Sequence, residues 1–592
     1  MKYQPKDKKL LLKAALGLVQ SDLAITNVKL VNVITGEIYP ADVYVYDGFI
    51  SHVEYKECGK GLDKANKVID GEGKYLIPGL IDAHMHIESS MMTPRNFARA
   101  VIPHGTTTVI IDPHELANVK GVEGVKYMHD AGEGLPMRQL VDIPSCVPAV
   151  PGLENAGADF FAKEIEELAS LERVVGLAEV MDYIGVINGE DRMMDIIKAA
   201  EDKGLYIQGH APFLSGRDLS AYFIGGPKTC HETRLGEEAL DKMRTGMYVD
   251  ARDSSITKNV KEIVEYIKDK VTLYDHLCLC TDDEEADDIL KHGQMSRVVN
   301  KAIECGLEPV VAIKSATYNI AREINIENLG AICPGFVADM LIVDDIKNIK
   351  PSMVFYGGEL VAENGKLLAK IEDREYELEK ENTVHVKSLT KDDLLIKAPI
   401  ENGSVKVNVM TYPDLLLSST YVETMELRVE NGLVMLDDED LKYVAVINRH
   451  GKKDTIGLGI VKGFGTKCGA LASTVSHDSH NLTVVYDSVD NALVACEELI
   501  KCGGGMSAVK DGEVIYTLEL PLGGLMSLKP AEELSKESEK MKEADRILGL
   551  TAMENPLLRI VTLALPVIPD VKMSDLGLID VVKKELIPLF AE

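Results

Sequence analysis

Tryptophan is absent from these 592 residues, aromatic side chains make up only 5%, and cysteine occurs ten times. Cysteines this sparse do not build a disulfide framework, so reduced thiols and a cytoplasmic location are expected. Positive charge is also short. Lys and Arg number 64 against 95 Asp and Glu, a net charge of −31, which argues against a nucleic-acid partner because phosphate binding draws on a basic surface. No stretch approaches the ~20 uncharged apolar residues of a membrane span, so no membrane partner is expected. The apolar Leu10-Leu11-Leu12 run is interrupted by Lys13 and lacks a small-residue cleavage site, which is not the pattern of a secretion signal. Solenoid repeats and low-complexity tracts are missing too.

What is present is globular usage, 46% hydrophobic and 27% charged, over a length that exceeds one ordinary core and predicts two or three domains. Short β-rich runs fill residues 23–74: Ala24–Val33, Ala41–Tyr46, Phe49–Val53 and Lys67–Ile69, broken by Thr35-Gly36 and Asp47-Gly48. The same texture returns over Gly330–Leu368, and two separated β blocks of this kind can form one sheet domain. Between them, strand-like runs alternate with helical patterns at intervals of about thirty residues, the period of a βα unit.

Eight strand candidates end at His84-Met85-His86, Ile111-Asp112-Pro113-His114, Ser145-Cys146-Val147-Pro148, Ala178-Glu179-Val180, Gln208-Gly209-His210, Cys230-His231-Glu232, Val249-Asp250-Ala251 and Cys280-Thr281-Asp282. Chemically capable residues at nearly every strand terminus are the pattern of a (β/α)8 barrel of TIM type. The predicted class is therefore α/β, with a small β-sandwich from the segments flanking the barrel and a C-terminal α/β domain. The boundaries are 1–74 (an N-terminal helix and the first part of the sandwich), 75–329 (the barrel), 330–384 (the rest of the sandwich) and 385–592. In the last segment, Glu532–Ile547 reads as a helix with opposite charges at i, i+4, a solvated face.

Ile81-Asp82-Ala83-His84-Met85-His86 carries the strongest chemical signal. Alternate residues of a strand share a side, so His84 and His86 project together toward one metal. With Glu179, His210, His231 and Asp282 at other strand ends they form a six-residue set for a divalent metal centre. Imidazole mixed with carboxylate suits Zn, Fe or Mn. Such a centre makes hydroxide available at neutral pH, and Asp282 would carry the proton to a leaving nitrogen.

These residues resemble the amidohydrolase superfamily through Pro78–His86, the histidines of the fifth and sixth strands, the aspartate of the eighth, and Pro334-Gly335-Phe336-Val337-Ala338-Asp339. Within it the chain is similar, over nearly its whole length, to the adenine deaminases. The marks are His86-Ile87-Glu88-Ser89-Ser90, Asp112–Asn118, Ser145–Ala149, Gly176–Met181 and Ser476–Asn481. The resemblance implies hydrolysis of adenine to hypoxanthine and ammonia by a metal-activated hydroxide, as in purine salvage. It also implies a dinuclear centre of Mn or Fe, with Zn an alternative, and a homo-oligomer, dimer or higher. Catalytic roles fall to Asp282, Glu179 and Asp112, and substrate-binding roles to His114, Glu115, Ser145, Glu154, His477 and His480.

Glu179 stands where cyclic-amide hydrolases of the superfamily carry a carboxylated lysine, which weighs against a hydantoinase or dihydroorotase. After the eighth strand the deaminase pattern has a Gly-His pair, whereas this chain reads Lys291-His292-Gly293-Gln294, and His292 is assigned no role. The alternatives are another amidohydrolase, acting on a different aminopurine or a cyclic amide, and more remotely a non-catalytic scaffold.

Overall fold

The computed structural model describes residues 1–58, 64–414, 419–568 and 570–591. Its centre is a ring of eight parallel strands: Leu80–His86, Thr106–Ile111, Arg138–Ile143, Val174–Val180, Tyr206–Gly209, Thr229–Cys230, Tyr248–Arg252 and Leu277–Cys280. The first five form one ladder and the last three another. Two seams join them. The Lys228 amide donates to the Ile207 carbonyl at 3.0 Å, and Asp282-Asp283 continues the eighth strand alongside Met85 and His86 of the first.

Runs such as Thr106-Thr107-Thr108-Val109-Ile110-Ile111 are buried at every position. That is how a parallel strand covered on both faces reads, with no alternation to betray it. Thr93 accepts from the Asn96 amide and Pro94 opens the helix Pro94–Val101, so that helix starts where its cap and fixed φ allow. Ile81, Ala83, Ile110, Leu140, Cys278 and Cys280 pack with Ile320 and Ala321 of the helix Tyr318–Glu323. These residues close the N-terminal end of the barrel and leave the C-terminal end for chemistry.

Nine strands drawn from both sides of the barrel segment make one continuous sheet. Tyr75–Pro78 joins its halves, parallel to Lys29-Leu30 on one edge and antiparallel to Met340–Val343 on the other. A register slip between Ile25 and Val28, with Asn27 at φ 55°, bends the long first strand Ser21–Asn32. Leu23, Ile25, Val43, Leu76, Met340 and Phe355 then share one apolar core.

The C-terminal part holds a second nine-stranded sheet, from Gly403–Thr411 to Glu513–Glu519. The helix Val489–Cys502 lays Ala492, Ala495 and Leu499 on Val484 and Tyr486 of that sheet. The helix Ala531–Leu548 differs from the solvated face predicted for it. Leu534, Met541 and Leu548 are buried, and Nζ of Lys542 donates to Glu285 at 2.7 Å and Asp287 at 3.2 Å on the barrel. Its charge pattern served a docking face as well as solvent. Among the described residues no helix is long and apolar enough to cross a membrane, and all ten cysteines are free.

Candidate active site

Glu179, at the end of the fourth strand, lies at the centre of the site. Its Oε1 is 3.6 Å from Nε2 of His86 and 4.0 Å from Nε2 of His84. Its Oε2 is 2.6 Å from Nδ1 of His210 and 3.1 Å from Nε2 of His231. Asp282 Oδ1 completes the first group at 3.6 Å from His84 and 3.3 Å from His86. The structure therefore brings all six predicted ligands together, with one carboxylate spanning two imidazole pairs.

The hydrogen bonds around the rings decide what this donor set suits. Gln208 donates to the Ala83 carbonyl, which turns its own carbonyl toward Nδ1 of His84 at 2.8 Å. Nδ1 of His86 donates to the Asp112 backbone carbonyl at 2.9 Å. Both rings thus carry their proton on Nδ1, and their Nε2 lone pairs face each other at 3.1 Å. Two lone pairs at that distance repel unless a cation lies between them, and imidazoles oriented from behind by carbonyls are the usual metal ligands. The residues fit a divalent metal.

Arg252, on the seventh strand, was not singled out by the sequence. Its Nη1 donates to Asp282 Oδ2 at 2.5 Å and its Nη2 pairs with Glu232. Burial opposes ionisation of Asp282, but the Arg252 charge and the His84 and His86 rings hold its carboxyl well below the usual carboxylate range. Glu232 is lowered to about 2, against its burial, by the same guanidinium. Asp282 sits at φ 60°, a left-handed conformation that non-glycine residues adopt at a cost of about 1–3 kcal/mol where a site requires it. Tyr222 clamps the fifth strand to the fourth: its hydroxyl accepts from the His210 amide at 2.9 Å and donates to the Val180 carbonyl at 2.7 Å. Gly209 permits this closeness, since a Cβ there would lie 2.4 Å from the Thr229 carbonyl oxygen.

The remaining candidates divide by position. His114 and His477 line a cavity of about 540 Å3 with Glu179, His210, His231 and Asp282. Leu565, Val567 and Ile568 roof it from the C-terminal part. Asp112 is turned to its neighbour, with Oδ2 3.1 Å from Nδ1 of His114. Ser145 donates to the Glu179 carbonyl at 2.6 Å and so buttresses the fourth strand. Glu115 accepts from Ser89 and lies 3.7 Å from Nε2 of His480, away from the cavity. Glu154 accepts from the Val150 amide and from Ser479, tying the barrel to the C-terminal loop. Burial raises its carboxyl to about 8, against the Ser479 bond. Gln294, beside the unassigned His292, bonds Asp82 beneath the first strand.

The profile described as the amidohydrolase family matches residues 75–361, and that of the adenine deaminase C-terminal domain matches residues 418–585. "Adenine deaminase" of Methanothrix thermoacetophila is 40% identical over 583 residues, 98% of this chain and 99% of that relative. The chain belongs to the adenine deaminase family. "Adenine deaminase 2" of Carboxydothermus hydrogenoformans is 39% identical with the same coverage. "Adenine deaminase" of Clostridium botulinum is 36% identical over 590 residues, 99% of this chain and 98% of that relative. Among solved structures, a beta-aspartyl dipeptidase from Fervidobacterium islandicum AW-1 is 18% identical with a TM-score of 0.45, covering 59% of this chain and 99% of that one.

Proposed function

We propose that this chain hydrolyses adenine to hypoxanthine and ammonia. The observation that carries the reading is the Glu179 carboxylate spanning two imidazole pairs, in a chain whose whole-length relatives bear the adenine deaminase name. His84, His86, Glu179, His210, His231 and Asp282 would hold two divalent ions, Mn or Fe in preference, with Zn an alternative. When bound, such a pair would make hydroxide available at neutral pH by lowering the pKa of water. As the C6–O bond forms and the C6=N1 π bond opens, one proton of the water goes to N1; Asp282, kept ionised by Arg252, would take the other and return it to the departing amine as the C6–N bond breaks. Asp112 holds the ring of His114 at the cavity wall, and His477 faces the purine. Glu115, Ser145, Glu154 and His480 support the wall from behind. The domain division at residues 74, 329 and 384, a cytoplasmic location and a homo-oligomer belong to the same reading; the free thiols agree with a reducing compartment.

A cavity of about 540 Å3 is in the range that takes drug-sized ligands, so its volume does not exclude a sugar on N9. Preference for the free base would then rest on a polar group facing N9, whose hydrogen bond an alkylated nitrogen cannot make. The test is ammonia release from adenine, 9-methyladenine and adenosine by one metal-analysed preparation. Adenine turnover with a kcat/KM well above that for 9-methyladenine is expected. No release from adenine with both ions in place refutes the proposal, and efficient release from another aminopurine reassigns the substrate.

A further inference from the structure

Beyond the six ligands lies a second convergence of donors, where the barrel meets the C-terminal loop. Nε2 of His114 is 3.7 Å from Oδ1 of Asp478, and Nδ1 of His477 is 3.6 Å from the same oxygen. Each of the three residues offers a ligand atom within 4.8 Å of those of the other two, and all three residues are buried. The separations are too long for hydrogen bonds. They are close to the ~3.3 Å edges of a tetrahedron with 2.0–2.1 Å ligand bonds.

The proton inventory points the same way. Nδ1 of His114 faces the Asp112 carboxylate at 3.1 Å, which places the ring proton there and directs the Nε2 lone pair at Asp478. A carboxylate behind an imidazole, with the free nitrogen aimed at a shared point, is the arrangement that orients a metal-binding histidine. Asp478 is 3% exposed, and its Oδ2 finds no hydrogen-bond partner. Glu115 Oε2 and Asp112 Oδ1 are likewise buried without partners. Among the described residues neither Lys nor Arg pairs with Asp112, Glu115, Asp283 or Asp478, although all four surround the His114 and His477 rings. His480 is not a donor to this point: its Nδ1 accepts from the Ser476 amide at 3.2 Å, so its Nε2 bears the proton.

We propose that His114, His477 and Asp478 bind a further first-row divalent cation, distinct from the pair at Glu179, which ties the C-terminal loop to the barrel mouth. Two imidazoles and a carboxylate suit Zn2+ and also take Mn2+. The site would do two things at once: compensate a buried excess of carboxylates and fix His477 against the cavity.

The experiment uses the full chain loaded with Zn2+, and separately with Mn2+, then freed of excess ion. Its crystals are measured at the absorption edge of the loaded metal. An anomalous peak bonded to His114, His477 and Asp478 is expected, separate from those around Glu179. Metal analysis should find one ion fewer per chain in Asp478→Asn and in His477→Ala than in the parent, while Glu179→Gln retains the ion at this site. Absence of the peak in the loaded parent overturns the proposal whatever the variants do. So does an unchanged ion count in both folded variants. Because neither readout depends on turnover, the site stands or falls separately from the proposed reaction.

Discussion

Replacing Arg252 by Met tests the electrostatic frame of the site. One guanidinium serves two carboxylates, Asp282 and Glu232, and all three side chains are about nineteen-twentieths buried, at 6%, 4% and 6% exposure. Its loss leaves two like charges facing each other out of water. A single unit-charge contact at ~4 Å with an effective dielectric of about 20 is worth roughly 4 kcal/mol. Breaking a buried pair by removing one partner costs about 3–5 kcal/mol in practice. Asp282 also loses the donor that fixes its carboxylate plane, and disturbing a group behind a metal ligand lowers activity or metal affinity about 10–100-fold. Arg252→Met should therefore show both effects, read by urea unfolding of the metal-loaded chain and by ammonia release from adenine. Arg252→Lys keeps the charge without the planar fork and should fall between. Unfolding within about 1 kcal/mol of the parent, together with turnover within about threefold, would refute the reasoning.

Glu179→Gln should lose most of the metal pair and the activity together, as metal analysis and ammonia release will show; a ligand-bound structure with Glu179 more than about 5 Å from any ion would remove its bridging role. Asp282→Asn keeps the shape but not the base, and turnover should drop by about 10²–10⁴ with folding intact; near-normal turnover at full metal occupancy would pass proton transfer to Asp112 or His114. Asp545, fully buried on the helix Ala531–Leu548 with neither carboxyl oxygen bonded, is raised by burial from 3.8 to about 8. The folded chain holds that proton and the unfolded chain releases it, so the stabilisation present below pH ~4 is lost as pH rises through about 8, by up to roughly 5 kcal/mol. Asp545→Asn should flatten this decline, and equal loss of melting temperature between pH 6 and pH 9 in parent and variant would dismiss it.

Much of the candidate metal set was legible because His84, His86, Glu179 and Asp282 sit at or just past the ends of apolar runs that announce their strands. Arg252 escapes because the apolar pattern ends the seventh strand at Ala251; one more residue, in step with Asp250, reaches it. Gln208 stands two residues before His210, inside the fifth strand that His210 follows, but nothing local marks it as the partner of His84. The division of labour among the polar residues was hidden for a different reason. Asp112 follows the second strand and Ser145 and Glu154 the third, yet an adjacent ring, a backbone carbonyl and a distant loop take up their hydrogen bonds. Likewise the helix over 531–548 showed its charges but not the barrel acids that Lys542 would meet.

The sheet that embraces the barrel has a kinetic consequence. Its central pairing, Ile77 with Leu341 and Leu76 with Ile342, joins strands that leave the ribosome on either side of the whole barrel segment. Until the later strands are made, Tyr75–Pro78 presents an open edge, and an unpaired edge invites pairing with other chains. Closing so long a loop also delays folding, because non-local contacts repay their entropy only at the end. Slow synthesis through residues 80–340 would then favour misassociation, and strands late in the gene govern whether the first ones are safely covered.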